Sequence, residues 1–253
     1  MGNIRNVILH YHIFKNAGST IDAILKKNFP SSWGAVEGKP QIYRLYNEDL
    51  LKYILGNKNI VAISSHEARP SLPNVGNLAF YPILFLRHPI DRIGSIYSYR
   101  RSLPEITTPS TKIAKEMDIT GYIRFCLANP NAETIINFQT TYLSSSEKDL
   151  RKPPEFEAAL QKIREFPFFG LVERFDESIM LLRDYLLGTF GKLDLSYTVA
   201  NKSQGRNGSI ETRIKNIESA LGPDLYLELL EKNALDLELY NQAAQIFTER
   251  SAA

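Results

Sequence analysis

The sequence predicts an α/β fold: a P-loop-like three-layer arrangement with a central, mainly parallel β-sheet flanked by helices. Three observations carry this expectation. Short apolar runs at 6–13, 60–65, 81–86 and 168–172 alternate with stretches of helical periodicity, as parallel strands linked by helical crossovers require. The first run, Val7 to Ile13, is almost continuously apolar, which suits a strand buried on both faces. Finally, 253 residues with 43% hydrophobic content are enough for one sizeable core. A single domain over 1–253 is therefore expected. It divides into a core at 6–100, helical and lid segments at 101–165, and a return to the core with closing helices at 166–253.

The elements follow in order. After the strand at 6–13 comes a helix at 19–28, with Ile21, Ile24 and Leu25 on one face. Trp33, Gly34 and Gly38 read as loop, and Glu48 to Leu55 as a helix. The second strand, Ile60 to Ser65, ends at His66; Pro70, Pro73 and Gly76 mark a loop. The third, Tyr81 to Leu86, ends at Arg87, and Pro89 sits where a helix begins. Ile90, Ile93, Ile96 and Tyr97 form that helix's apolar stripe. Residues 103–117, with Pro104 and Pro109, read as a mobile surface loop suited to a substrate lid. Helices are expected at 118–129, 132–143 and 155–165, with a loop at 144–154. A fourth strand covers 168–172, and Asp176 is expected to cap a helix bearing Ile179, Leu182 and Leu186. Residues 189–208 look irregular, and two helices near 209–221 and 223–248 close the chain.

Composition excludes several function classes. A net charge of +2 gives no bulk basicity for wrapping nucleic acid, so any anion site must be local. The single Cys126 rules out an internal disulfide and a Cys-built zinc site, and its apolar helical setting suits a core residue. No apolar run reaches the length of a membrane span, and no signal-peptide pattern precedes the first strand. A soluble, cytoplasmic protein with no integral membrane segment is expected, and no metal-ligand cluster is visible in the spacing of its side chains.

The chemistry gathers first at Lys15-Asn16-Ala17-Gly18-Ser19-Thr20, between the first strand and first helix. Backbone N–H groups of such a turn and of the helix N-terminus favour an anion. Lys15 adds a mobile positive charge, Ala17-Gly18 permits close approach, and Ser19 and Thr20 offer hydroxyls. The plainer alternative is a strand-to-helix turn with Ser19 as N-cap. It is not a Walker A loop, because the lysine stands four residues before Ser19 and the leading glycine is absent. A second anion grip is expected from Arg87 and Ser95, eight residues apart; an Arg87–Asp91 pair is the structural alternative. Ligands on parallel sheets bind beyond the carboxyl ends of strands, which singles out the 15–20 turn, His66 and Arg87 together.

These motifs resemble those of sulfotransferases that use 3′-phosphoadenosine 5′-phosphosulfate (PAPS), most closely the carbohydrate and uronosyl 2-O-sulfotransferase-like branch. Phe14-Lys15-Asn16-Ala17-Gly18-Ser19-Thr20 is similar to the family's 5′-phosphosulfate loop. Arg87-His88-Pro89-Ile90-Asp91-Arg92-Ile93-Gly94-Ser95 is similar to its 3′-phosphate motif. Asn137-x-Gln139-Thr140 and the stretch Leu171 to Ser178 also match, so the resemblance runs in order over most of 7–190. Phe14 replaces the usual proline, and Thr141 stands where relatives often carry Arg.

The resemblance implies transfer of a sulfuryl group from PAPS to a hydroxyl of a carbohydrate, lipid or small-metabolite acceptor, leaving adenosine 3′,5′-bisphosphate, with no metal required. Lys15, Asn16, Ala17, Gly18, Ser19 and Thr20 are then expected on the 5′-phosphate, with Arg87 and Ser95 on the 3′-phosphate. Lys15 supports the departing phosphate. Four histidines are available, and His66, at a strand end, is the expected general base, with His12 second. His12, Glu67, Arg69, Tyr97 and Arg100 are candidate acceptor contacts. The rivals are a small-molecule kinase, which calls for a Walker lysine and a Mg²⁺-binding carboxylate at a strand end, and a non-catalytic nucleotide-binding module.

Overall fold

The computed structural model describes residues 4–38, 44–71, 75–129, 133–145, 155–198 and 208–252. Its elements run β1 (Arg5–Tyr11), α1 (Gly18–Asn28), β2 (Trp33–Ala35), α2 (Asn47–Gly56), β3 (Ala62–Ser65), β4 (Leu78–Leu86), α3 (Pro89–Ser102), α4 (Pro109–Glu116) and α5 (Ile119–Ala128). A 3₁₀ turn (Glu133–Ile135) leads to α6 (Phe138–Ser144) and α7 (Phe156–Glu165). Then follow β5 (Gly170–Leu171), a second 3₁₀ turn (Val172–Arg174), α8 (Phe175–Phe190), α9 (Ile210–Lys232) and α10 (Ala234–Ala252). The expected α/β class is observed: five strands form one sheet in the order β2-β3-β1-β4-β5, every pairing parallel.

Alternation along β1 divides the core. Val7, Leu9 and Tyr11 face a cluster built with Leu50 and Ile54 of α2, Leu160 and Ile163 of α7 and Phe247 of α10. Ile8 faces the other way, onto Ile21, Ile24 and Leu25 of α1 and Leu182 and Leu186 of α8. A third cluster joins α3, α5 and α9 through Ile93, Tyr122, Cys126 and Leu225. Cys126 is a buried core residue, as expected.

The chain runs from β1 to β3 on one side and reaches β4 on the other, which makes β1 the point where the order reverses. The carboxyl ends of β1, β3 and β4 therefore border one crevice. His12, His66 and Arg87 follow those three ends directly.

Several expectations are corrected. The stretch read as a lid holds α4: the Thr108 side chain caps it by accepting from Thr111 N–H, Pro109 starts it, and Thr111 and Ala114 are buried. A helix cap and an N1 proline use the same residue types as a loop. Trp33-Gly34 is not loop but the edge strand β2, paired with Ala62 and Ile63. The fourth strand shrinks to two residues, Gly170–Leu171. Asp176 lies inside the first turn of α8, whose N-cap is Arg174, and accepts from Tyr197 Oη instead. The helix expected over 132–143 is broken at Asn137, which adopts φ 43°. The closing helices bend at Gly222 (φ 72°), as Gly222-Pro223 suggests, but a second break falls at Asn233, inside the expected 223–248 helix. The expected loop at 146–154 and most of the irregular segment, 199–207, lie outside the described residues.

Candidate functional site

The turn between β1 and α1 is shaped by two left-handed residues, Lys15 (φ 67°) and Ala17 (φ 61°). Non-glycine residues pay a conformational cost there, so the surroundings must hold them. They do so by gripping the backbone. Arg87 Nη1 donates to the Lys15 carbonyl (3.0 Å), and buried Arg92 donates through Nε to the Phe14 carbonyl (3.0 Å). Asn16 Nδ2 donates to the Phe85 carbonyl and to Gln139 Oε1, both at 2.7 Å. Asn16 is 1% exposed, so its side chain is a clamp on the turn and not a ligand contact. Ala17, not Ser19, is the N-cap of α1, which starts at Gly18. Ser19 and Thr20 lie in its first turn, and Thr20 N–H donates to the Ala17 carbonyl (2.9 Å). The Lys15 ammonium stands 4.4 Å from the centre of the Tyr99 ring on α3.

Gly18 is required by its neighbour. A Cβ there would fall 1.9 Å from Cδ2 and 2.2 Å from Nε2 of His12, so the imidazole lies flat against the start of the helix. His66 packs on the other side of His12, with ring centres 3.8 Å apart. Its Nδ1 is 2.8 Å from the His12 carbonyl, which can only accept. A neutral His66 thus carries its hydrogen on Nδ1 and leaves Nε2 as a proton acceptor. Burial, reinforced by the neighbouring His12, holds the His66 pKa below its ordinary value. His12 is lowered by burial as well, which outweighs its hydrogen bond to Asp22.

Asp22, on α1, is the site residue that sequence reasoning missed. Its Oδ1 accepts from His10 Nδ1 and its Oδ2 from His12 Nδ1, both at 2.8 Å. Burial disfavours the carboxylate, but the two imidazole hydrogen bonds prevail and hold its pKa far below the usual range. The expectation of no metal-ligand cluster is corrected here: among the described residues these three converge, their donor atoms within 4.8 Å of one another. The signal was available as His10-x-His12 on one strand face, followed by an acid one turn into the next helix.

At the end of β4, Asp91 is wholly buried and gathers two guanidinium groups. Arg87 meets it through Nε (2.8 Å) and Nη2 (2.7 Å). Arg213, near the start of α9, meets it through Nε (2.7 Å) and Nη2 (3.2 Å). Two guanidinium groups thus share one buried carboxylate, with Glu173 close enough to interact with both. The Arg87–Asp91 pair was foreseen as the structural alternative; Arg213 was not, since 122 residues separate it from Asp91. Ser95 is buried on α3.

The remaining candidates have partners of their own within the fold. Glu67 Oε2 accepts from Gly38 N–H (2.6 Å). Arg69 Nη1 donates to the Glu67 carbonyl (3.0 Å), with its guanidinium 4.5 Å over the Tyr142 ring. Tyr97 Oη donates to the Met117 carbonyl (3.0 Å), facing α4. Arg100 donates to Thr108 and Ser110 and reaches Thr134, so it fastens α3 to α4.

The matched motif Asn137-x-Gln139-Thr140 is also structural. Gln139 Oε1 receives Arg87 N–H (3.0 Å) besides Asn16, and its Nε2 donates to the Arg87 carbonyl (2.8 Å). Asp236 of α10 caps α6, taking Gln139 N–H (3.0 Å) and, through Oδ1, both Thr140 N–H and Oγ1 (2.7 Å each). His88 N–H donates to Glu173 Oε1 (2.9 Å), whose Oε2 takes Tyr240 Oη (2.8 Å).

Fold and site together define a class: a parallel α/β protein whose central strand ends in a clamped turn, flanked by an imidazole pair and a two-arginine cluster. No protein-family profile matches the chain. It is 33% identical to an uncharacterized protein of Archaeoglobus fulgidus over 249 residues, 97% of this chain and 98% of that one, and it belongs to the same family as that protein. No helix among the described residues is long and apolar enough to cross a membrane.

Proposed function

We propose that the chain is a sulfotransferase, moving a sulfuryl group from PAPS to a hydroxyl of a carbohydrate, lipid or small-metabolite acceptor. The observation that carries this reading is the seating of the His12–His66 pair against Gly18 of the anion turn. It sets a proton acceptor beside the site where a phosphosulfate would be held. The acceptor oxygen attacks sulfur, the bond from sulfur to the 5′-phosphate oxygen breaks, and His66 Nε2 takes the hydroxyl proton. Transfer of a negatively charged group depends on positioning and charge stabilisation. The start of α1, with the hydroxyls of Ser19 and Thr20, serves the 5′-phosphate, and Lys15 the departing charge. Arg87 and Arg213 serve the 3′-phosphate, which favours PAPS over a nucleoside triphosphate. The kinase rival is disfavoured because the ends of β1, β3 and β4 carry His12, His66 and Arg87, and the carboxylates beside them are engaged: Asp22 by two imidazoles, and Glu37 by the Ser65 hydroxyl and the N–H groups of His66 and Glu67.

Titration calorimetry with adenosine 3′,5′-bisphosphate tests the reading, with adenosine 5′-phosphate as control. Saturable binding is expected, at least tenfold tighter than the control and weakened at least tenfold by Arg213→Ala. No binding, or equal binding of the two nucleotides, overturns it.

A further inference from the structure

We propose that His10, His12 and Asp22 form a binding site for one divalent metal ion of the zinc class, set directly behind the anion turn. The site follows from the fold. His10 and His12 are two residues apart at the end of β1, so both side chains leave the sheet on the face covered by α1. The turn at 12–17 reverses the chain, and α1 brings Asp22 back over them. The three donors are two imidazole nitrogens and a carboxylate oxygen, a mixed N/O set that suits zinc and its transition-metal neighbours better than magnesium or calcium.

The spacing is near that of a metal site. Bonds of about 2.1 Å at the tetrahedral angle put neighbouring ligand atoms about 3.4 Å apart, so an ion need only spread the present contacts by a few tenths of an ångström. Each Nδ1 here lies 2.8 Å from a different oxygen of the one carboxylate. Ser64 Oγ, 3.1 Å from His10 Nδ1, offers a further oxygen at the edge of the site. His10 and His12 are 1% and 8% exposed, so the ligands are held in place before any ion arrives. Among the described residues the ion pairs of Asp22 are with these two imidazoles alone, so one negative charge stays uncompensated when both rings are neutral. A divalent cation resolves that imbalance.

Binding moves the hydrogen of each ring from Nδ1 to Nε2, with no net loss of a proton. His12 Nε2, beside Gly18, then becomes a donor facing the turn. The ion also adds positive charge below the cradle. In the sulfuryl-transfer reading, on which only this consequence rests, His12 then supports the anion and His66 alone accepts the proton.

The test uses the chelator-stripped chain and no nucleotide, so its outcome is separate from that of the calorimetry above. Zn²⁺ is titrated in competition with a chromophoric chelator, and Co²⁺ binding is followed by visible absorption. One equivalent of Zn²⁺ is expected, with at least a hundredfold loss in Asp22→Asn and His10→Gln and no loss in His66→Gln. Co²⁺ bound to the unaltered chain should give the intense visible bands of a four- or five-coordinate nitrogen-ligated ion, a result that stands even where a variant fails to fold. Absence of stoichiometric Zn²⁺ binding, a spectrum like that of hydrated Co²⁺, or undiminished binding by folded Asp22→Asn and His10→Gln overturns the proposal.

Discussion

At the residue scale, Gly18 matters for the space it leaves rather than for its backbone angle: its φ is not positive, and α1 begins on it. The space belongs to the His12 ring. Gly18→Ala must displace that ring, because the new methyl would lie 1.9 Å from Cδ2. Overpacking of this kind costs about 1–3 kcal/mol. Urea denaturation should show a loss in that range, and under the proposed function affinity for adenosine 3′,5′-bisphosphate should fall with it. An unchanged midpoint and unchanged affinity would mean that His12 is not seated there. Lys15, Gly18, His66 and Arg87 were legible in the sequence because each sits at a strand end or in its turn, where position alone marks the crevice. Asp22 and Arg213 were not. Asp22 reads as an ordinary solvated residue of an amphipathic helix until the fold sets it over β1. Arg213 reaches Asp91 only through a long chain reversal.

At the element scale, the anion turn is held from the far end of the chain. Asp236 at the start of α10 caps α6, and α6 delivers Gln139, which binds both Asn16 and the backbone of Arg87. Asp236→Ala would strand the N–H groups of Gln139 and Thr140 in the interior and leave Arg92 beside no carboxylate. Breaking a buried polar network of this kind costs about 3–5 kcal/mol. The denaturation midpoint should drop accordingly with the urea slope preserved, and loss below about 1 kcal/mol would remove Asp236 as an anchor. The strands and most helices were readable from apolar periodicity. What failed were the features that depend on partners: β2 is three residues of a Trp-Gly-Ala edge, defined by pairing with β3. Helix α4 is too short to show a stripe, and its cap and proline resemble a loop.

At the scale of the whole molecule, packing sets the charge state and so the response to pH. His12, His66 and His88 all have pKa values lowered, with burial the leading cause in each. Between these folded values and the ordinary histidine value of about 6.5, the unfolded chain binds more protons than the folded one. Their stabilising effect is therefore fully present above about pH 6.5 and is lost as pH falls through the lowered folded values. Glu173 and Asp236 act in the opposite sense. Burial raises both, so they favour the fold while protonated, and that contribution is lost as pH rises through their folded values. Asp22 is held ionised and yields only in stronger acid. The imidazoles thus govern the window just below neutrality. His88 is the cleanest probe, since it packs against Tyr240, away from the anion turn, with its Nδ1 buried and unpartnered. Urea denaturation at intervals from pH 8 to pH 5 should show stability falling below about pH 6.5. In His88→Gln the fall should be shallower, because one proton-binding difference is gone while the ring's neighbours remain. Parallel curves for the two proteins would show that His88 titrates alike in the folded and unfolded chain, and burial at the β4–α3 junction would then not be what sets its charge.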